Sequence, residues 1–149
     1  MLAKHCRKLW ATDLEERELE NAKINFERFN ALSGNKCAFE TFRGNLLEPL
    51  PVIPAKAIPL IIFNHPFYPS PHKLYGTGGM HAGLAVIRPF LEAAVSIVAK
   101  RGAVIMPFSE VSGGHNPLTI AIELGYSAKA IRQSRHNKYG ELYIYLFTR

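Results

Sequence analysis

Apolar and polar residues fall into blocks along this chain, and the period within the blocks changes from one to the next. Leu9 to Thr12 is a short apolar run that ends at Asp13, which predicts a strand. From Glu15 to Ala31 the apolar positions Leu19, Ala22, Phe26 and Phe29 recur at spacings of three and four. That period places them on one stripe of a helix. Glu15, Glu16, Glu18 and Glu20 crowd its first turns, where carboxylates complement the positive end of the helix dipole. Ser33-Gly34-Asn35 is the stop signal. Ahead of the first strand, Met1 to Lys8 reads as the tail of another helix. Ala38 to Phe42 predicts a second strand, and Pro49, Pro51 and Pro54 mark Gly44 to Ala57 as a loop. Pro59 to Phe63 is a continuous apolar run ending at Asn64, the pattern of a strand buried on both faces.

A long segment rich in Pro, Gly, His and Tyr follows, from His65 to Gly83; loops of that length inside a domain usually serve a function or move. Leu84 to Ala99 predicts a helix with its stripe at Leu84, Ile87, Leu91, Ala94 and Val98. Pro89 within it is expected either to kink the helix or to mark its start. Gly102 reads as the helix stop, and Ala103 to Phe108 as a further apolar strand. Pro117 to Leu124 predicts a short helix ending at Gly125, with proline near its first turn. Tyr126 to Gln133 and Leu142 to Phe147 predict two strands, joined through Asn137-Lys138-Tyr139-Gly140 as an antiparallel hairpin. Strand, helix, strand, strand, helix, strand, helix, strand, strand is an α/β order with a mostly parallel sheet. A length of 149 residues suits a single domain over the whole chain.

Composition narrows the setting. No apolar run approaches the roughly 20 residues of a membrane helix, and the first residues lack the apolar stretch and cleavage site of a signal peptide. Cys6 and Cys37 have no metal-ligand spacing, and two lone thiols fit a reducing cytoplasm. The formal charge is +6. Lys100, Arg101, Lys129, Arg132, Arg135, Lys138 and Arg149 face only Glu110, Glu123 and Glu141 over the last third of the chain. Such a basic face either attracts nucleic acid through phosphates or is simply solvated surface. His5, His72, His81, His115 and His136 are scattered without zinc spacing, so no metal is expected. Ser109 and Ser112, expected in a strand-end loop, lack a nucleophile-elbow context.

In open parallel sheets ligands bind beyond the carboxyl ends of the strands, and three strand ends here carry suggestive groups. Asp13 can accept bonds from two ribose hydroxyls, or it can bond the free N–H groups of the helix that follows. Asn45, after Gly44, can pair with an adenine edge, or Gly44-Asn45 can be a plain turn. Asn64-His65-Pro66-Phe67 follows the most apolar strand. The Asn64 side-chain oxygen and the His65 carbonyl can accept the two N–H hydrogens of a planar amine or amide, with Phe67 stacked on that plane. The contribution would be positioning and electrostatics. The alternatives are an ordinary loop, or His65 as a general base.

Four segments together resemble the Rossmann-like S-adenosylmethionine-dependent methyltransferases, in the branch holding the release-factor glutamine methyltransferases and the small-domain RNA and DNA amino-methyltransferases. "WATDLEERELENAKINFERFN" is similar to the family's acidic strand end and following helix, with Asp13 in the ribose position and Leu14 beside it. "FRGNLLEPLP" resembles its Gly-Asp-Leu segment, with Asn45 where aspartate is usual. "IPLIIFNHPFYPS" resembles its Asn-Pro-Pro-Tyr strand end, with His65 in place of a proline, then Pro66 and the aromatic variant Phe67. "GTGGMHAGLAVIRPFLEAAVSIVAKRGAVIMPFSE" resembles the run that follows.

The resemblance implies a mostly parallel sheet with a C-terminal antiparallel hairpin and S-adenosylmethionine as cofactor. It also implies methyl transfer to an amino or amide nitrogen of a macromolecular acceptor: a protein glutamine, or a base in RNA or DNA. Asp13, Leu14, Asn45 and Asn64 would hold the cofactor; Asn64, His65, Pro66 and Phe67 would orient the acceptor. The family's first strand and glycine-rich cofactor loop have no counterpart and are expected ahead of Met1. Gly76-Thr77-Gly78-Gly79 follows the wrong strand to replace that loop. Two other readings stand beside this one: a non-catalytic binding module or inactive fragment with a basic RNA-binding face, and a fragment of an NAD-dependent Rossmann enzyme.

Overall fold

A computed structural model of the chain describes residues 7–34, 37–65, 82–109, 117–136 and 140–149. The element order is β1 (Lys8–Asp13), α1 (Glu16–Ser33), β2 (Ala38–Arg43), β3 (Ile58–Ile62), α2 (Ala82–Ile97), β4 (Val98–Ser109), α3 (Pro117–Glu123), β5 (Ser127–His136) and β6 (Gly140–Thr148). It is the order that the periodicity predicts. The chain divides into two compact units, Met1–Val52 and Ile53–Arg149.

In the first unit β1 and β2 pair in parallel, from Lys8 opposite Ala38 to Asp13 opposite Arg43. A parallel pair needs a crossover, and α1 supplies it. Of the predicted stripe, Leu19 and Phe26 are buried, and the Phe26 ring stacks on Phe39 of β2 with centroids 4.4 Å apart. The helix stops at Gly34, whose φ of 65° is left-handed. Lys8 belongs to β1 and not to a preceding helix, because the ladder to Ala38 reaches back to it; residues 1–6, Cys6 among them, lie outside the described residues. The Lys8 ammonium is 2.8 Å from Glu40 Oε1, and Trp10 Nε1 donates to Glu40 Oε2 at 2.9 Å. The bond from Lys8 first, then that from Trp10, holds the Glu40 carboxyl below its ordinary range.

In the second unit four strands run in the order β3-β4-β6-β5. β3 and β4 are parallel, whereas β6 is antiparallel to both β4 and β5. Asn137, Lys138 and Tyr139 of the hairpin turn lie outside the described residues. β4 alternates cleanly: Val104, Met106 and Phe108 are buried, while Ala103, Ile105 and Pro107 are half-buried. The buried set shares its face with Tyr145 and Phe147 of β6, and α2 and α3 cover that face. Ile87, Phe90, Leu91 and Ala94 of α2 and Ile120 and Ala121 of α3 complete the core. Each large apolar side chain fully buried there contributes roughly 1.5–3 kcal/mol. Tyr126 Oη donates to the Leu91 carbonyl at 3.3 Å, and Arg149 Nη1 donates to the Val95 carbonyl at 2.8 Å. Both satisfy carbonyls in the second half of α2; that of Val95 lies in its last turn, where no intrahelical partner exists.

Two expectations change. β3 is not buried on both faces: Ile61 is buried, but Ile62 is 50% exposed, because both helices of this unit lie on one side of the sheet. Gly102 does not stop a helix. α2 ends at Ile97 and passes straight into β4, inside which Gly102 lies. A Cβ at Gly102 would meet the Ile58 carbonyl oxygen and the Ala99 backbone at 3.0 Å, so the glycine permits the close approach where the β3–β4 register shifts. Pro89 sits inside α2 rather than at its start.

Candidate functional site

Three of the predicted cofactor residues cluster at the carboxyl end of the β1–β2 pair. Asp13 closes β1 opposite Arg43. The Gly44 N–H extends the ladder by donating to the Asp13 carbonyl at 2.9 Å. Asp13 Oδ1 accepts the Glu15 N–H at 2.9 Å, a local turn that leads the chain into α1. Asp13 is therefore not the helix cap weighed against ribose binding, since the N-cap position is Glu15 and no side chain caps α1; its Oδ2 accepts no bond from the described residues. The side chain is exposed at the strand end.

Leu14, 41% exposed, follows directly, and its carbonyl accepts a bond from Arg43 Nε at 3.1 Å. Sequence reasoning missed Arg43; the signal was its place at the end of a strand as long as β1, which puts it opposite Asp13. Asn45 is exposed. Its Nδ2 donates to Glu48 Oε1 at 3.1 Å, and its carbonyl accepts the Glu48 N–H at 3.0 Å. The turn reading of Gly44-Asn45 is correct as geometry, and Asn45 is exposed with its amide bonded to Glu48. A Cβ on Gly44 would come within 2.9 Å of the Pro49 ring, so the segment closes tightly under that amide.

The fourth residue, Asn64, lies in the second unit, just past the carboxyl end of β3. The Phe63 N–H donates to the Ile105 carbonyl at 3.0 Å, which carries the β3–β4 pairing to the threshold of Asn64. Phe63 stacks on Phe90 of α2 with centroids 3.9 Å apart. Asn64 itself is exposed. His65 turns the other way and is 1% exposed. Its ring lies 5.8 Å from Phe108 and 6.1 Å from Phe63. The imidazole is thus enclosed against the two strands β3 and β4. Ser109 is the last residue of β4 and fully buried, not part of a loop. Pro66 and Phe67 lie outside the described residues, as do His72, Gly76 to Gly79, His81, Glu110, Ser112 and His115.

Among the described residues no group of His, Cys, Asp and Glu is arranged to hold a metal ion, and no helix is long and apolar enough to cross a membrane. Cys37, just ahead of β2, is buried.

No protein-family model matches the chain, and no curated protein matches it. Solved structures do. The Mtq2–Trm112 complex of E. cuniculi, responsible for methylation of the eRF1 translation termination factor, is 17% identical with a TM-score of 0.55, over 97% of this chain and 85% of that one. A SAM-dependent methyltransferase from Aquifex aeolicus is 17% identical with a TM-score of 0.53, over 95% and 69%. An rRNA methylase from Streptococcus thermophilus is 15% identical with a TM-score of 0.54, over 99% and 76%. The chain has the Rossmann-like methyltransferase fold.

Proposed function

We infer that this chain is a methyltransferase that uses S-adenosylmethionine and acts on an amino or amide nitrogen of a protein or nucleic acid. The observation that carries the reading is the position of its polar groups: Asp13, Asn45 and Asn64 all stand exposed at carboxyl ends of parallel strands. That is where an open α/β sheet binds ligands.

The residues fit the cofactor's chemistry. Asp13 Oδ2 suits ribose hydroxyls, because the bond from the Glu15 N–H occupies only Oδ1. The Asn45 amide both donates and accepts, as an adenine edge requires. The Leu14 side chain offers apolar contact beside them. When bound, S-adenosylmethionine supplies an electrophilic sulfonium methyl. The Asn64 side-chain oxygen and the His65 carbonyl accept the two N–H hydrogens of the acceptor nitrogen and leave its lone pair directed outward. His65 holds this strand end by burying its ring between Phe63 and Phe108, a role that proline would fill through a fixed φ. Pro66 and Phe67 are assigned the turn and the stacking plane. No group on the protein forms a covalent bond, so the rate gain comes from orientation and charge.

A protein acceptor is supported by the likeness to the complex that methylates eRF1, and an RNA acceptor by the likeness to the rRNA methylase. The test is transfer of labelled methyl from S-adenosylmethionine to cell protein or RNA, with the two fractions counted separately. Label enters one fraction and is lost with Asn64→Ala. Unchanged transfer by Asn64→Ala would remove the assigned role.

A further inference from the structure

The turn after β2 holds one side-chain amide in one orientation. Asn45 Nδ2 donates to Glu48 Oε1 at 3.1 Å, and the Glu48 N–H donates back to the Asn45 carbonyl at 3.0 Å. Between them Leu46 has a φ of 50°, in the left-handed region that a leucine seldom occupies. Strain of this kind persists only where surrounding contacts hold it. Here those contacts are the two Asn45–Glu48 bonds and the close approach of Gly44 to the Pro49 ring. Glu48 is exposed and forms no ion pair among the described residues. Its side-chain partner there is Asn45.

An ionised carboxylate can only accept hydrogen bonds. The Asn45 side chain must therefore turn its nitrogen toward Glu48, which leaves Oδ1 on the other side. An unrestrained amide exchanges oxygen and nitrogen by a half-turn about χ2, since the two are nearly the same size. Glu48 removes that freedom. Purines differ by the same exchange. Adenine offers a donor in its 6-amino group and an acceptor at N1, whereas hypoxanthine offers an acceptor in its 6-carbonyl and a donor at N1–H. A ribose held by Asp13 prevents the base from turning round to compensate. An amide fixed in one orientation then pairs with one purine and sets donor against donor and acceptor against acceptor with the other.

Resting on the reading that puts Asn45 at the adenine edge of S-adenosylmethionine, we propose that Glu48 is a positioning residue that sets the purine specificity of this site. It locks the Asn45 amide so that Oδ1 accepts from the 6-amino group of adenine, and it acts through Asn45 without touching the base. A side chain at position 48 that can both donate and accept frees the amide to turn. One that can only donate forces Oδ1 toward itself and presents the Asn45 nitrogen to the base, which is the arrangement that hypoxanthine requires.

The probes are S-adenosylhomocysteine and S-inosylhomocysteine, which differ only at that edge of the base and carry no methyl to transfer. Dissociation constants for both are taken from the amide shifts of Leu14 and Asn45 in the isotope-labelled chain, whose spectrum also shows that each variant folds. The parent should favour the adenosyl compound about tenfold or more, the scale of one bidentate pair. Glu48→Gln should bring the ratio near one, and Glu48→Lys should reverse it. The two ligands carry the same charge, so the change of charge at position 48 cancels in the ratio. In an Asn45→Ala background, Glu48→Lys should leave the ratio unaltered. A preference that survives Glu48→Lys in the parent overturns the proposal, as does a reversal that persists without Asn45, which would put Glu48 on the base itself. Equal binding of the two compounds by the parent overturns the specificity role and leaves the cofactor reading standing. Silence of Leu14 and Asn45 toward both compounds overturns the cofactor reading and the proposal with it.

Discussion

Asp13 and Arg43 stand opposite each other at the carboxyl ends of β1 and β2, and the side chain of each makes a bond into the Leu14–Glu15 corner. Asp13 Oδ1 takes the Glu15 N–H and Arg43 Nε donates to the Leu14 carbonyl. The corner is fixed from both strands while one carboxylate oxygen stays available. Two substitutions separate its roles. Asp13→Asn retains an acceptor for Glu15, so its melting temperature should stay near that of the parent. Its affinity for S-adenosylmethionine should fall about tenfold, the scale of one charge-assisted bond. Asp13→Ala should lose that affinity and also about 0.5–1.5 kcal/mol of stability, the scale of one hydrogen bond. Thermal melts and ligand titrations of both variants check this.

Gly44 sits against Pro49 too closely to carry a side chain. A proline ring has little freedom to move aside, so Gly44→Ala must shift the backbone that presents Asn45. The expected cost is about 1–3 kcal/mol, read by chemical denaturation. A variant as stable as the parent would mean that the turn is loose.

Burial pushes the Tyr126 phenol up to about 12, although the Arg149 guanidinium beside it pulls the other way. The folded state therefore favours the neutral phenol. Its contribution is complete below the ordinary value of 10.0 and is lost as pH rises from there through about 12. Stability of the parent should decline across that window. Tyr126→Phe should decline less there, because Phe has no proton to lose. Absorbance at the tyrosinate band, followed with denaturation at each pH, gives both numbers. A phenol at Tyr126 titrating with free tyrosine would contradict the buried contact with Leu91.

Phe26 carries the packing of α1 on β2 through its stack with Phe39. Phe26→Ala should cost about 3–5 kcal/mol, measured from the unfolding midpoint. Ile24→Ala on the same helix, 47% exposed, should change little.

Local pattern carried most of the fold. The stripe through Leu19 and Phe26 announces a helix because both the period and the partner face are set within a few turns. Asp13 and Asn64 are legible as strand ends because a polar residue closes an apolar run. What failed depends on distant chain. Pro59 to Phe63 has the same composition whether one face or two are covered, and only the placement of α2 and α3 on one side shows which. Gly102 follows an apolar helical stretch and looks like a stop, yet its reason is the Ile58 carbonyl, far away along the chain. His65 gives no sign in the sequence that its ring turns inward, since the Phe63–Phe108 enclosure forms only when β3 and β4 pair.

Whether the strand ends at Asp13, Asn45 and Asn64 serve S-adenosylmethionine is best decided by a heteronuclear NMR titration. The isotope-labelled chain is titrated with S-adenosylmethionine and, separately, with NAD. Such a titration registers contacts even at dissociation constants on the order of 1 mM, about 4 kcal/mol. S-adenosylmethionine is expected to shift the amides of Leu14, Glu15, Asn45 and Asn64, NAD to leave them in place, and Asp13→Asn to reduce the response. Silence at those amides, or a preference for NAD, would contradict the assignment.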